Sequence, residues 1–191
     1  MVTSQRRGTG TNQEAVRRHN LSTLLRQVHL APGPVSRAEL TSAMGLNRST
    51  IAGLVGELVD LGLTESTAAL AAPRQGAGRP SQGVGVADGG PYVVGVDLGV
   101  DRMAVARVGL GGRLHARLPA PVHPDREAWR IAADIAALVR RAVADAPPGA
   151  PLVGIGLAVP GMVRRRDGMV RLAPNLGGSD VSPGPMVLAA L

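Results

Sequence analysis

The chain has 191 residues and a formal net charge of +7, and every one of its 21 basic residues is arginine. It has no cysteine, which excludes a disulfide framework and a thiolate metal site, and no apolar run of about 18 residues, which excludes a membrane-spanning helix. The positive balance favours polyanionic partners, nucleic acid first, although the excess of Ala, Gly, Arg and Pro is also what a high-GC coding bias produces. No apolar core follows the early arginines, so no secretory signal is expected and the cytoplasm is the expected location.

Residues 1–11 are polar and read as a disordered tail. Leu21, Leu24, Leu25 and Val28 then recur at i, i+3, i+4 and i+7, the stripe of a helix over about 13–29. Ala31-Pro32-Gly33-Pro34 stops it. Ser36 and Glu39 stand at capping-box spacing and open a short second helix ending near Met44. Gly45 supplies the positive φ of a tight turn. Asn47 is an N-cap for a third helix, whose buried stripe is Ile51, Leu54, Val55 and Leu58. Segments 64–71 and 81–87 flank an arginine-bearing tip, Pro73 to Pro80, and predict a hairpin.

A second pattern begins near Pro91. Residues 92–97, 103–110 and 113–118 read as strands, 125–145 as an amphipathic helix, and 152–159 as a further strand. This β-β-β-α-β order predicts an α/β layer, and Pro185–Leu191 begins another helix. Trp129 is expected to pack the helix against the sheet. His19, His29, His115 and His123 are scattered without ligand spacing. Arg164-Arg165-Arg166 reads as a solvated loop, with added non-specific DNA affinity as its alternative.

Three helices followed by a hairpin describe a winged helix-turn-helix. The start of the third helix presents free N–H groups and a positive dipole end to phosphate, with Arg48, Ser49 and Thr50 placed to reach phosphates or base edges. The face opposite its buried stripe carries Ser49, Ala52, Gly53 and Gly56, small enough to enter a groove and poor in hydrogen bonds. Arg79, slim-backed between Gly78 and Pro80, suits a narrow minor groove, and Arg74 suits a phosphate. The alternative is a plain three-helix bundle with a solvated face.

Residues 13–86 resemble the N-terminal domain of ROK-family transcriptional repressors. The resemblance rests on Arg18-His19-Asn20, Ser36-Arg37-Ala38-Glu39-Leu40, Gly45-Leu46-Asn47-Arg48-Ser49-Thr50, Leu61-Gly62-Leu63 with Glu65, and Gly78-Arg79-Pro80. Residues 93–114 and 154–178 resemble parts of the ROK effector domain. The implied fold class is α+β: a winged helix-turn-helix over 12–87, then the first part of an actin-like ATPase (ribonuclease H-like) domain over 91–191. The implied DNA-binding residues are Ser36, Arg37, Asn47, Arg48, Ser49, Thr50, Arg74, Gly78, Arg79 and Pro80. The implied partners are a double-stranded operator, a second copy of the chain, and a sugar or sugar-phosphate inducer in relatives.

ROK kinases carry an Asp-x-Gly-Gly-Thr phosphate turn. Here Asp97-Leu98-Gly99-Val100-Asp101 replaces the second glycine with valine and the threonine with aspartate, so Asp97, Gly99 and Asp101 read as a vestigial loop. The family's catalytic-aspartate segment and cysteine/histidine zinc site have no counterpart in these 191 residues. The resulting expectation is a carbohydrate-gene repressor with an incomplete effector domain, no catalytic residue, no metal and no cofactor. The alternatives are a ROK-type sugar kinase fragment and a non-functional remnant.

Overall fold

A computed structural model describes residues 10–67, 83–125, 127–172 and 180–191, with side chains from residue 12. The first helix, α1, spans Gly10–Leu30. It begins earlier than the apolar stripe requires, so Gly10 and Thr11 are helical rather than part of a tail. Leu24 and Val28 are its buried contacts. The chain then forms β1 (Val35–Ser36), α2 (Arg37–Met44), α3 (Arg48–Asp60), β2 (Thr64–Thr67) and β3 (Gly83–Val86).

The three strands make one sheet in the order β1-β3-β2, antiparallel throughout, with Val35 opposite Val84 and Ser66 also opposite Val84. The β1 strand has no signal of its own in the sequence. Two residues are too few for periodicity, and they become a strand because β3 returns beside them. Val84, fully buried, closes a core made of Leu24, Val28, Leu40, Ile51, Leu54, Val55 and Leu58. Each such side chain contributes about 1.5–3 kcal/mol on burial, so the α3 stripe holds that helix more firmly than its helix propensity does.

The chain divides into two compact units, Met1–Gly90 and Pro91–Leu191. The second unit holds β4 (Tyr92–Leu98), β5 (Arg102–Gly109), a 3-10 turn at Leu110–Gly112, β6 (Leu114–Pro121), α4 (Ala128–Ala144), β7 (Leu152–Ala158), β8 (Met162–Val163), β9 (Val170–Leu172) and α5 (Pro183–Ala190). The main sheet runs β6-β5-β4-β7, with β7 parallel to β4 after the α4 crossover. Tyr92, Val94, Val96 and Leu98 alternate onto the buried face, where they join Ile131, Ile135 and Val139 of α4 and Val187 of α5.

Strand β6 runs past Leu118 through Pro119 and Pro121. It lies at the sheet edge, so the missing proline N–H groups cost no ladder bond there. Buried Arg107 on β5 donates from Nη1 to the Ala142 carbonyl at 3.1 Å, and Arg140 on α4 donates to the Ala190 carbonyl at 2.6 Å. Both guanidiniums thus meet the electronegative C-terminal ends of helices.

Candidate nucleic-acid interface

Ser36 caps α2 in extended backbone geometry, with φ −72° and ψ 149°. The Ser36 hydroxyl accepts the Glu39 N–H at 3.1 Å, while the Ser36 N–H donates to the Glu39 carboxylate at 2.8 Å. The capping box is therefore closed, which fixes where α2 begins. Arg37, next in line, is half-buried, and its Nε has no hydrogen-bond partner among the described residues. Gly45 ends α2 at φ 64°, in the left-handed region where a Cβ is costly, and donates back to the Thr41 carbonyl at 3.1 Å. That turn redirects the chain into α3.

Asn47 caps α3. Its Oδ1 accepts the Thr50 N–H and the Ser49 hydroxyl, both at 2.8 Å. A backbone N–H must meet an oxygen, so the amide orientation is settled and the Asn47 NH2 group is turned away from the helix. Ile51 N–H bonds the Asn47 carbonyl at 3.1 Å. Helical geometry then leaves the Arg48 and Ser49 N–H groups without an intrahelical partner at the tip. Arg48 is exposed and makes no ion pair among the described residues.

Along α3, Ile51, Leu54, Val55 and Leu58 point into the core, and Ser49, Ala52, Gly53 and Gly56 are exposed. A Cβ placed on Gly53 or Gly56 would meet nothing within 4 Å. The fold thus has no packing reason for glycine at either position, although each costs about 1 kcal/mol of helix stability against alanine. Sequence reasoning missed one participant. Arg17 of α1 pairs with Glu57, which lies one helical turn beyond Gly53, and so neutralises an acid at the edge of the small-residue face. Forty positions separate the two, and no local pattern joins them. Arg74, Gly78, Arg79 and Pro80 lie outside the described residues.

No family model matches the chain. It is 30% identical over 178 residues to the xylose repressor of Bacillus subtilis, covering 89% of this chain and 43% of that protein. The xylose repressor of Bacillus spizizenii is 29% identical over 178 residues, with the same two coverages, 89% and 43%. Among solved structures, a ROK family transcriptional regulator, a homologue of the E. coli MLC protein, superposes with a TM-score of 0.58 at 22% identity, covering 92% of this chain and 43% of that one. The chain is thus similar to xylose repressors in sequence and to a ROK family transcriptional regulator in fold. It spans about 43% of the length of the curated relatives named here.

Asp97, Gly99 and Asp101, expected from the sequence to form a vestigial phosphate loop, lie at the β4–β5 turn. The Gly99 N–H, the donor that would face a phosphate, is bonded to the Arg102 carbonyl at 2.8 Å. A Cβ on Gly99 would lie 2.8 Å from the same oxygen, so the hairpin itself accounts for this glycine. Asp97 is exposed near the end of β4, and the Asp101 carbonyl accepts the Val122 N–H at 3.0 Å. With the Gly99 donor occupied, a branched Val100 and a carboxylate at Asp101, these residues do not fit a nucleotide phosphate. Among the described residues no group of three or more His, Cys, Asp or Glu is placed to hold a metal, and no helix is long and apolar enough to cross a membrane.

Trp129 departs from expectation. It is 58% exposed rather than packed on the sheet, because the stripe that α4 buries runs through Ile131, Ile135 and Leu138. The Arg130 guanidinium lies 4.9 Å over its ring and also reaches Asp125 at 2.8 Å. Asp125 meets His123 at 2.8 Å as well. Partial burial pushes the Asp125 carboxyl up, but the Glu127 N–H, His123 and Arg130 together outweigh it and hold the carboxyl below its usual value.

Proposed function

We propose that the chain carries the DNA-binding end of a transcriptional repressor of carbohydrate-metabolism genes. Residues 12–87 act as a winged helix-turn-helix, α3 as the recognition helix, and β2–β3 as the base of the wing. Residues 91–191 form an actin-like, sugar-kinase-related unit that in a full-length regulator carries effector sensing. Duplex DNA is the primary partner and the cytoplasm the place of action. The chain pairs with a second copy on a palindromic operator.

The observation that carries this reading is the open α3 face. Two glycines with free space around them follow a helix tip that displays Arg48, two N–H groups without an intrahelical partner and the Asn47 amide. A surface stripped of side chains at a cost in helix stability suits the floor of a major groove, and the tip suits phosphates and base edges. Arg48, Ser49 and Thr50 make the contacts of the first turn, Ser36 and Arg37 those at the start of α2. From the sequence, Arg74 and Arg79 add phosphate and minor-groove contacts.

The reading is tested by fluorescence anisotropy of the chain with the promoter duplex upstream of its own gene. Arg48→Ala and Arg79→Ala should each weaken binding roughly tenfold or more, the worth of a charge-assisted contact of about 1.5–3 kcal/mol. Unchanged affinity in both would overturn the assignment of the interface.

A further inference from the structure

The β8–β9 hairpin carries four arginines, Arg164, Arg165, Arg166 and Arg171, and one acid, Asp167, within residues 162–172. Its tip is an ordered turn. Arg164 N–H donates to the Met169 carbonyl and Gly168 N–H to the Arg164 carbonyl, both at 2.8 Å, with Gly168 at φ 71°. Arg164 grips Asp167 with two nitrogens, Nε at 2.8 Å from Oδ1 and Nη2 on Oδ2, and Asp167 also accepts the Met169 N–H at 3.2 Å. The acid is thus occupied within the turn. Arg171 pairs with Asp180 at 3.1 Å.

Two arginines are left to face outward. Arg165 is exposed and makes no ion pair among the described residues. Arg166 has a side chain 78% exposed and reaches Asp167 only at 3.8 Å. Two adjacent guanidiniums on a stapled turn form a small, pre-ordered cationic edge. The planar fork of each matches two oxygens of a phosphate. No aromatic residue stands between 161 and 172 to stack a base or anchor at a lipid interface. That pattern fits the backbone of a duplex, which presents a charge every 1.7 Å or so, better than a single strand or a membrane.

We infer that the Arg164–Gly168 turn is a second, sequence-independent contact for duplex DNA phosphates, made by Arg165 and Arg166. The inference rests on the DNA-binding reading of α3. It adds affinity without adding specificity. Because it is tethered to the sequence-reading unit, even a weak contact raises the time the chain spends on DNA.

The test measures affinity of the full chain for promoter and random duplexes across a salt series. Arg165→Ala/Arg166→Ala should flatten the slope of log affinity against log salt by about 1.8, equally on both duplexes. That change removes roughly a twelvefold share of the affinity lost between 50 and 200 mM salt. Arg165→Lys/Arg166→Lys keeps both charges and should keep the slope. Circular dichroism confirms that each variant is folded. If the alanine pair leaves the slope unchanged while Arg48→Ala lowers it, the turn does not touch DNA and this inference fails alone. If the chain binds neither duplex, the reading of α3 fails and takes this inference with it. A loss confined to binding of anionic phosphatidylserine vesicles, with DNA affinity intact, identifies a membrane contact and overturns the inference.

Discussion

The hydroxyl of Ser49 donates to Oδ1 of Asn47 at 2.8 Å, the same oxygen that takes the Thr50 N–H. Ser49 is therefore an acceptor toward anything outside the helix, and the outward donors at the tip are the Asn47 amide, Arg48 and the two N–H groups without an intrahelical partner. An acceptor suits the exocyclic amino group of adenine or cytosine, whereas a phosphate needs the donors beside it.

Asn47→Asp separates the cap from the interface. A carboxylate keeps the Thr50 N–H satisfied, so the urea midpoint should hold, but it removes the outward amide and adds negative charge where phosphate is expected. DNA affinity should fall while stability does not. Asn47→Ala should lower both, costing about 1 kcal/mol of fold stability. Paired urea titrations and anisotropy check the contrast.

Gly53→Ala and Gly56→Ala should each stabilise the chain by about 1 kcal/mol, since a methyl meets open space and alanine favours helix. The same methyls should weaken binding to promoter DNA. Chemical denaturation and anisotropy on the same samples decide it: stabilisation with unchanged affinity means that this face of α3 stays outside the groove.

Arg107 holds α4 to the sheet through the Ala142 carbonyl and lies 5.8 Å from the Tyr92 ring centre. Arg107→Ala should destabilise the second unit by roughly 2–4 kcal/mol, combining a lost charged hydrogen bond with lost packing. Arg107→Met should cost less, because the stem volume is kept and a buried Nε without a partner disappears. Promoter affinity of the folded Met variant should be unchanged.

The Asp125 carboxyl is held below its ordinary value of 3.8. A folded-state value below the unfolded one means that its pairing stabilises the chain above the unfolded value and is lost as pH falls through the folded one. Trp129 is the sole tryptophan and lies under the Arg130 that Asp125 binds. Its fluorescence should show a transition with a midpoint below the usual aspartate range near 3.9. Asp125→Asn should abolish that transition. A midpoint at or above the usual value would contradict the pairing.

The α2–turn–α3 segment was legible from sequence because its determinants are local. Ser36 reaches Glu39, Asn47 reaches Thr50, Gly45 needs only its own φ, and Ile51 to Leu58 follow helical spacing. Each bond closes over three or four residues, so a short window contains both partners. The open glycines of α3 were visible as residue types, but that nothing packs against them was a fact of the fold.

What depended on partners far along the chain was decided only in three dimensions. Val35 becomes a strand because Val84 returns beside it. Pro119 is tolerated in β6 because β5 bonds that strand on one side alone. Trp129 faces outward because the apolar stripe of α4 leaves it off the sheet. Arg17 finds Glu57 only once α1 and α3 pack together. Helix caps and stripes are short-range consequences of backbone geometry. Strand pairing, edges and cross-helix ion pairs require closing long loops, and which loops close is set by the burial of the whole unit.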